Sequence, residues 1–101
     1  MTQRANLYQA ITTKYFGPTN VRGSRVKASC QARSIIIGWD HALNSDTNHT
    51  AAASQLAHIM GWVGTWHGGG LPDGRYCFVC ADNVAAFHVA HADVTIASVH
   101  S

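Results

Sequence analysis

The sequence predicts an α+β domain: an antiparallel sheet of about five strands in the order β-β-β-α-β-β, with one main helix packed on one face. Three observations predict it. Short stretches alternate apolar and polar residues and are rich in Thr, Val, Ile and aromatics, the pattern of half-buried strands. Gly, Pro and Asn punctuate the chain between them, so hairpins are the natural connections. A single segment, TAAASQLAHIMGW (50–62), repeats apolar residues at helical spacing.

LYQAITTKYF (7–16) alternates and reads as a half-buried strand. GPTNVRGS (17–24) is turn-forming, with Gly17-Pro18 and Gly23. RVKASC (25–30) places Val26, Ala28 and Cys30 on one face and Arg25, Lys27 and Ser29 on the other. SIIIGWD (34–40) is short, β-branched and apolar, which suits a central strand, and Gly38 suggests a bulge or a close backbone approach. Asp46 or Asn48 can cap the helix, Ala52, Leu56, Ile59 and Met60 form its apolar stripe, and Gly61 can end it. WVGTW (62–66) reads as a strand, HGGGLPDG (67–74) as a glycine-rich turn and RYCFVCA (75–81) as the returning strand.

The 101 residues fit one domain, 1–101, with a core over about 7–81 and a less patterned tail, 82–101. In the tail, DNVAAFHVAHA suits a short helix and DVTIASV a strand. With 47% hydrophobic and 12% charged residues the chain is not of disordered composition. It has no apolar run long enough to span a bilayer, and MTQRANLYQA lacks a signal-peptide core, so a cytoplasmic setting without membrane contact is expected. Three cysteines without a secretory signal favour free thiols, Cys30 being a small core residue.

Charge is segregated. Residues 1–39 carry six cations and no acid, whereas residues 40–101 carry five aspartates against Arg75. There is no glutamate, so Asp and His are the candidates for acid or base chemistry. The stretch KYFGPTNVRGSRVKA (14–28) holds Lys14, Arg22, Arg25 and Lys27. If these share a face with Arg33, they can engage phosphates or an acidic protein surface through charge.

Cys77-x2-Cys80 followed by His88-x2-His91 offers two thiols and two imidazoles, the donors zinc prefers. The seven-residue gap between Cys80 and His88 is short for a zinc finger, and two cysteines three apart in a strand face opposite sides. Two small apolar residues in a strand is the plainer reading, and neither metal nor cofactor is expected. Seven histidines invite a catalytic reading, yet no H-E-x-x-H or G-x-S-x-G motif supports one, so the chain is read as a non-enzyme. GGG at 68–70 is no nucleotide fingerprint, because it precedes a strand rather than a helix. Of three tryptophans, Trp66 beside these glycines is a stacking or hot-spot candidate, although core packing is the commoner fate.

Three pieces in order, ITTKYFGPTNVRGSRVKA, AAASQLAHIMGW and GGGLPDGRYCFV, resemble a family of small proteins encoded by phages and other mobile elements of bacteria. The resemblance covers roughly residues 10–80 and brings no catalytic residue. It implies a host-cell setting in which small single domains often inhibit defence systems. Anti-CRISPR proteins are one such class, similar to this chain in size but through no shared motif.

The reading is therefore a non-catalytic binding protein of a mobile element, an anti-CRISPR-like inhibitor. Its basic hairpin (Lys14, Arg22, Arg25, Lys27, Arg33) would act on a nucleic acid or a nucleoprotein defence complex. One rival is a His/Cys metal-supported domain or small hydrolase. Another is a phage structural or assembly protein, associating with itself, for example as a homodimer, through a sheet edge.

Overall fold

The computed structural model describes residues 8–82 and 87–90. Five strands form one antiparallel sheet: β1 (Ile11–Phe16), β2 (Arg25–Ser29), β3 (Ser34–Gly38), β4 (Trp66–Gly70) and β5 (Tyr76–Cys80). One helix, α1 (Ser45–Ile59), joins β3 to β4 and packs on one face of the sheet. The fold is α+β, with the predicted order of elements. Most of the tail, including the expected helix and strand after Asp82, lies outside the described residues.

The strand order is β3-β2-β1-β5-β4. β1 is thus central, and SIIIG, predicted to be central, is an edge strand. The run of three isoleucines suggests burial on both faces, yet Ile35 and Ile37 pack inward while Ile36 points outward and is 48% exposed. A strand covered on both faces would bury all three. Gly38 pairs with Arg25 in an unbroken register, and a Cβ there would meet nothing, so it marks neither a bulge nor a close approach.

α1 begins five residues before the predicted segment 50–62, because polar residues build its start. Asn44, not Asp46 or Asn48, is the N-cap, and its Oδ1 accepts from Thr47 N at 2.8 Å. Asn48 is buried one turn in. Its amide donates to the carbonyls of Asp40, Asn44 and Leu43, while its Oδ1 accepts from Asp40 N at 2.8 Å. It staples the β3–α1 loop to the helix. Asn48→Ala should cost about 1–3 kcal/mol, since it removes every hydrogen bond of this buried side chain, and a urea melt reads this directly.

The helix ends as its glycine predicts. Gly61 adopts φ +75°, its N–H donates to His58 O, and Trp62 N–H reaches back to Ala57 O. These two bonds form the paired closure typical of a left-handed cap. Ala52, Ala53, Leu56 and Ala57 face the sheet, and the alanines let the helix sit close to Ile11, Val26, Ala28 and Phe78. Ile59, placed on the apolar stripe by spacing, is 42% exposed.

The glycine run is a strand, not a turn. Gly68, Gly69 and Gly70 pair with Phe78, Cys77 and Tyr76, and the reversal falls at residues 71–75. Residues 62–65, expected to begin that strand, form a loop. The pairing of Gly68 with Phe78 gives the reason. A Cβ at Gly68 would overlap the Phe78 ring, so the ring lies over the bare glycine and supplies the packing that residue lacks.

Candidate functional site

α1 covers one face of the sheet, and the strands alternate their side chains between that face and the other. On the other face, which no described element covers, stand Lys14 and Phe16 from β1, and Arg25 and Lys27 from β2. None of the five described strands carries a carboxylate. Lys14 pairs directly with Lys27, and Phe16 with Arg25.

Directly opposed residues on adjacent strands hold their Cβ atoms about 4.5–5.5 Å apart, and like charges so placed are destabilising. The aromatic ring between the cations offsets part of that cost. Lys14 Nζ stands 5.4 Å from the Phe16 centroid and Arg25 Cζ 5.7 Å. Both interact with the ring's electron-rich face, which fixes two charges along the sheet surface. The result is a compact basic patch in which, among the described residues, Lys14, Arg25 and Lys27 form no ion pair.

Arg22 lies beside the patch in the 17–24 loop and is exposed. Thr19 orders that loop: its hydroxyl accepts from the N–H groups of Val21 and Arg22, and its own N–H donates to Arg22 O at 2.7 Å. Arg25 also donates to Gly23 O at 3.0 Å. Arg33 does not join the group. It sits in the β2–β3 turn, at the opposite end of β2 from Arg25. The fold therefore gathers Lys14, Arg25 and Lys27 on one surface, sets Arg22 at its rim and leaves Arg33 apart.

Phe16 is the residue that sequence reasoning overlooked. Its alternation with Lys14 was the available signal, since residues two apart in a strand share a face. Arg75 was overlooked as well. It precedes β5 by one residue, and continuing the β1–β5 register from Thr13–Tyr76 sets it beside Lys14. Asp73 pairs with it at 2.8 Å, and the backbone N–H and guanidinium of Arg75 hold the Asp73 carboxyl below its ordinary value.

Trp66 lies on the other, helix-bearing face. It is half-buried and stacks with Trp62 at 5.8 Å and Tyr8 at 5.9 Å. It lines a groove of about 500 Å³ between α1 and the β4–β5 hairpin, together with Thr50, Ser54, His58 and His67. Among the described residues, neither histidine ring in this groove hydrogen-bonds to a hydroxyl or a carboxylate. Cys80 is buried on the helix side and Cys77 half-buried on the other, so their sulfurs diverge as the spacing predicts. His88 is exposed, and His91 lies outside the described residues.

The closest thing to a catalytic pair is sealed in the core. Thr13 Oγ1 lies 2.6 Å from His49 Nδ1, and the two residues are 1% and 2% exposed. His49 stacks on Tyr76 at 4.2 Å, and the Tyr76 hydroxyl donates to Asp46, which holds that phenol above its ordinary pKa. Burial pushes the His49 imidazole below its usual 6.5, and the nearby Asp46 carboxylate partly opposes this. The unfolded chain therefore protonates at a higher pH than the folded one. Stability is whole above pH 6.5 and declines as pH falls from there, levelling once the folded His49 itself protonates. Thermal melts between about pH 7.5 and 5 should show that decline, and His49→Gln should flatten it.

Compared with known protein families, curated proteins and solved structures, the chain has no match. Among the described residues, no helix is long and apolar enough to cross a membrane.

Proposed function

We propose that this protein is a non-catalytic binding protein that grips the phosphate backbone of nucleic acids with the open face of its β1–β2 hairpin. One observation carries the reading: Lys14 and Lys27 stand directly opposed on an uncovered face whose strands carry no acid. Such an arrangement costs stability in the free protein and is offset when an anion bridges the two ammonium groups. Arg25, held on Phe16, extends the patch, and Arg22 is exposed in the loop that leads into β2. Lysines on an open sheet face contact phosphates without reading bases, so binding is by charge and with little sequence preference.

The mobile-element resemblance adds a setting, in which the nucleic acid belongs to a nucleoprotein defence complex that the protein inhibits. The test is fluorescence anisotropy with labelled oligo-dT, oligo-rU and a mixed-sequence duplex across a salt series. Binding that weakens steeply with salt supports the proposal. Absence of binding even at low salt sinks it and moves the partner to an acidic protein surface. A companion variant separates function from fold: Lys27→Thr should weaken oligonucleotide binding while its melting temperature holds or rises, because the like-charge pair is gone.

A further inference from the structure

Beside the lysines, the open face of the sheet carries a row of a different kind. Ser34, Ser29, Thr12, Cys77 and Gly69 are directly opposed from strand to strand, so they share a face and form one line from β3 to β4. We infer that this face takes single-stranded nucleic acid in preference to duplex, with phosphates on the lysines and bases laid flat along that line. The inference rests on the phosphate-binding reading above and adds which form of nucleic acid the face accepts.

Side-chain height comes first. Lys14 and Lys27 stand two residues along their strands from Thr12 and Ser29, a displacement of about 7 Å. None of the residues in the small row reaches past the γ position of its side chain, whereas a lysine extends to Nζ. The row is therefore a low, uncharged floor beside a raised basic edge. Neighbouring strands lie about 4.8 Å apart, so the floor is about 19 Å long. Its residues are half-buried or exposed. The Lys14 ammonium stands over Phe16, which lies along β1 in the opposite direction from Thr12, so it leaves the floor open. Val79 follows Cys77 on the same face, bounds the far side of the floor and is 42% exposed.

Duplex and single strand differ in what they offer such a surface. A duplex keeps its bases stacked inside and shows only their edges, within grooves. Against a sheet it presents sugars and phosphates on a convex surface, so it rests on the lysines and leaves the floor to water. A single strand has unpaired bases that splay away from its phosphates and lie against protein. A backbone that follows Lys27 and Lys14 runs across the strands, parallel to the floor, and sets its bases over it. Base faces laid there are desolvated together with Val79 and the Thr12 methyl group. Contact through base faces is tolerant of sequence, in keeping with binding that does not read bases.

The probes are labelled oligo-dT, an abasic deoxyribose-phosphate strand of equal length, and a mixed-sequence duplex of that length, each titrated with the full chain and read by fluorescence anisotropy. Oligo-dT should bind about tenfold more tightly than either of the others at equal salt. The two single strands should share one salt slope, because both meet the same lysines. In proton–nitrogen correlation spectra, oligo-dT should shift the amides of Thr12, Ser29 and Cys77, whereas the abasic strand should shift chiefly those of Lys14, Arg25 and Lys27. Equal affinity for oligo-dT and the abasic strand, a duplex bound as tightly as oligo-dT, or unmoved floor amides would overturn this inference and leave the phosphate reading standing. No binding of any of the three at low salt would overturn both.

Discussion

Replacing Lys14 and Lys27 together with alanine is expected to remove most of the salt-sensitive affinity for nucleic acid. Each phosphate neutralised on a single strand contributes about −0.7 to the slope of log affinity against log salt. Contacts from Lys14, Arg25 and Lys27 then give a slope of about −2, so affinity for oligo-dT should fall about twentyfold between about 50 and 200 mM salt. With both lysines gone, Arg25 alone leaves a slope of about −0.7 and a loss of only about threefold over the same interval. The double variant should fold at least as well as the native chain, since the residues are opposed like charges on an uncovered face. Arg33→Ala serves as the internal control. It removes the same charge from the far end of β2 and should leave the slope unchanged. Equal slopes in the native chain and the double variant would mean that the patch does not meet phosphate.

The second large effect is on stability and lies in the glycine strand. Phe78→Ala should cost about 3–5 kcal/mol, because it empties the space between α1 and the β4–β5 hairpin. That is a large share of the roughly 5–15 kcal/mol available to a small domain. Gly68→Ala should also destabilise, by about 1–3 kcal/mol, because its new methyl group enters the volume of the Phe78 ring. At this size each kcal/mol moves the melting temperature by about 4–8 °C. The two changes should not add. With Phe78 already alanine, the obstruction is gone and the ordinary cost of glycine within a strand remains, so Gly68→Ala should then stabilise. A thermal-melt cycle over the four proteins reads the reversal of sign. Additive losses would show that the ring does not rest on Gly68.

The basic hairpin was legible because strand alternation is a strictly local rule. It placed Lys14 opposite in face to Thr13, and Arg25 and Lys27 opposite to Val26 and Ala28, before any pairing was known. Which cation meets which was not legible, because register depends on where the 17–24 loop ends and β2 begins. Arg33 illustrates the limit: it is close in sequence to Lys27 but is carried away by the β2–β3 turn. The contacts among Tyr15, Trp39 and His49 were illegible for a stronger reason. These residues come from β1, from the loop just after β3 and from α1, and none of them carries a motif.

The glycine run shows why local propensity misleads. Three consecutive glycines favour a turn when judged alone. In the fold, the Phe78 ring covers Gly68 from the neighbouring strand, which makes up for the missing side chain. A cross-strand contact thus overrides the residue's own preference.

By itself, then, the sequence determined the α+β class, the order of elements, the left-handed end of α1 at Gly61 and the sidedness of the first two strands. Each of these follows from periodicity or backbone stereochemistry within a few residues. The tertiary structure decided that SIIIG is an edge, that the glycines pair and that Lys14 faces Lys27. Those outcomes depend on which strands are neighbours, a choice made by burying Ile11, Val26, Leu56 and Phe78 together rather than by any segment alone.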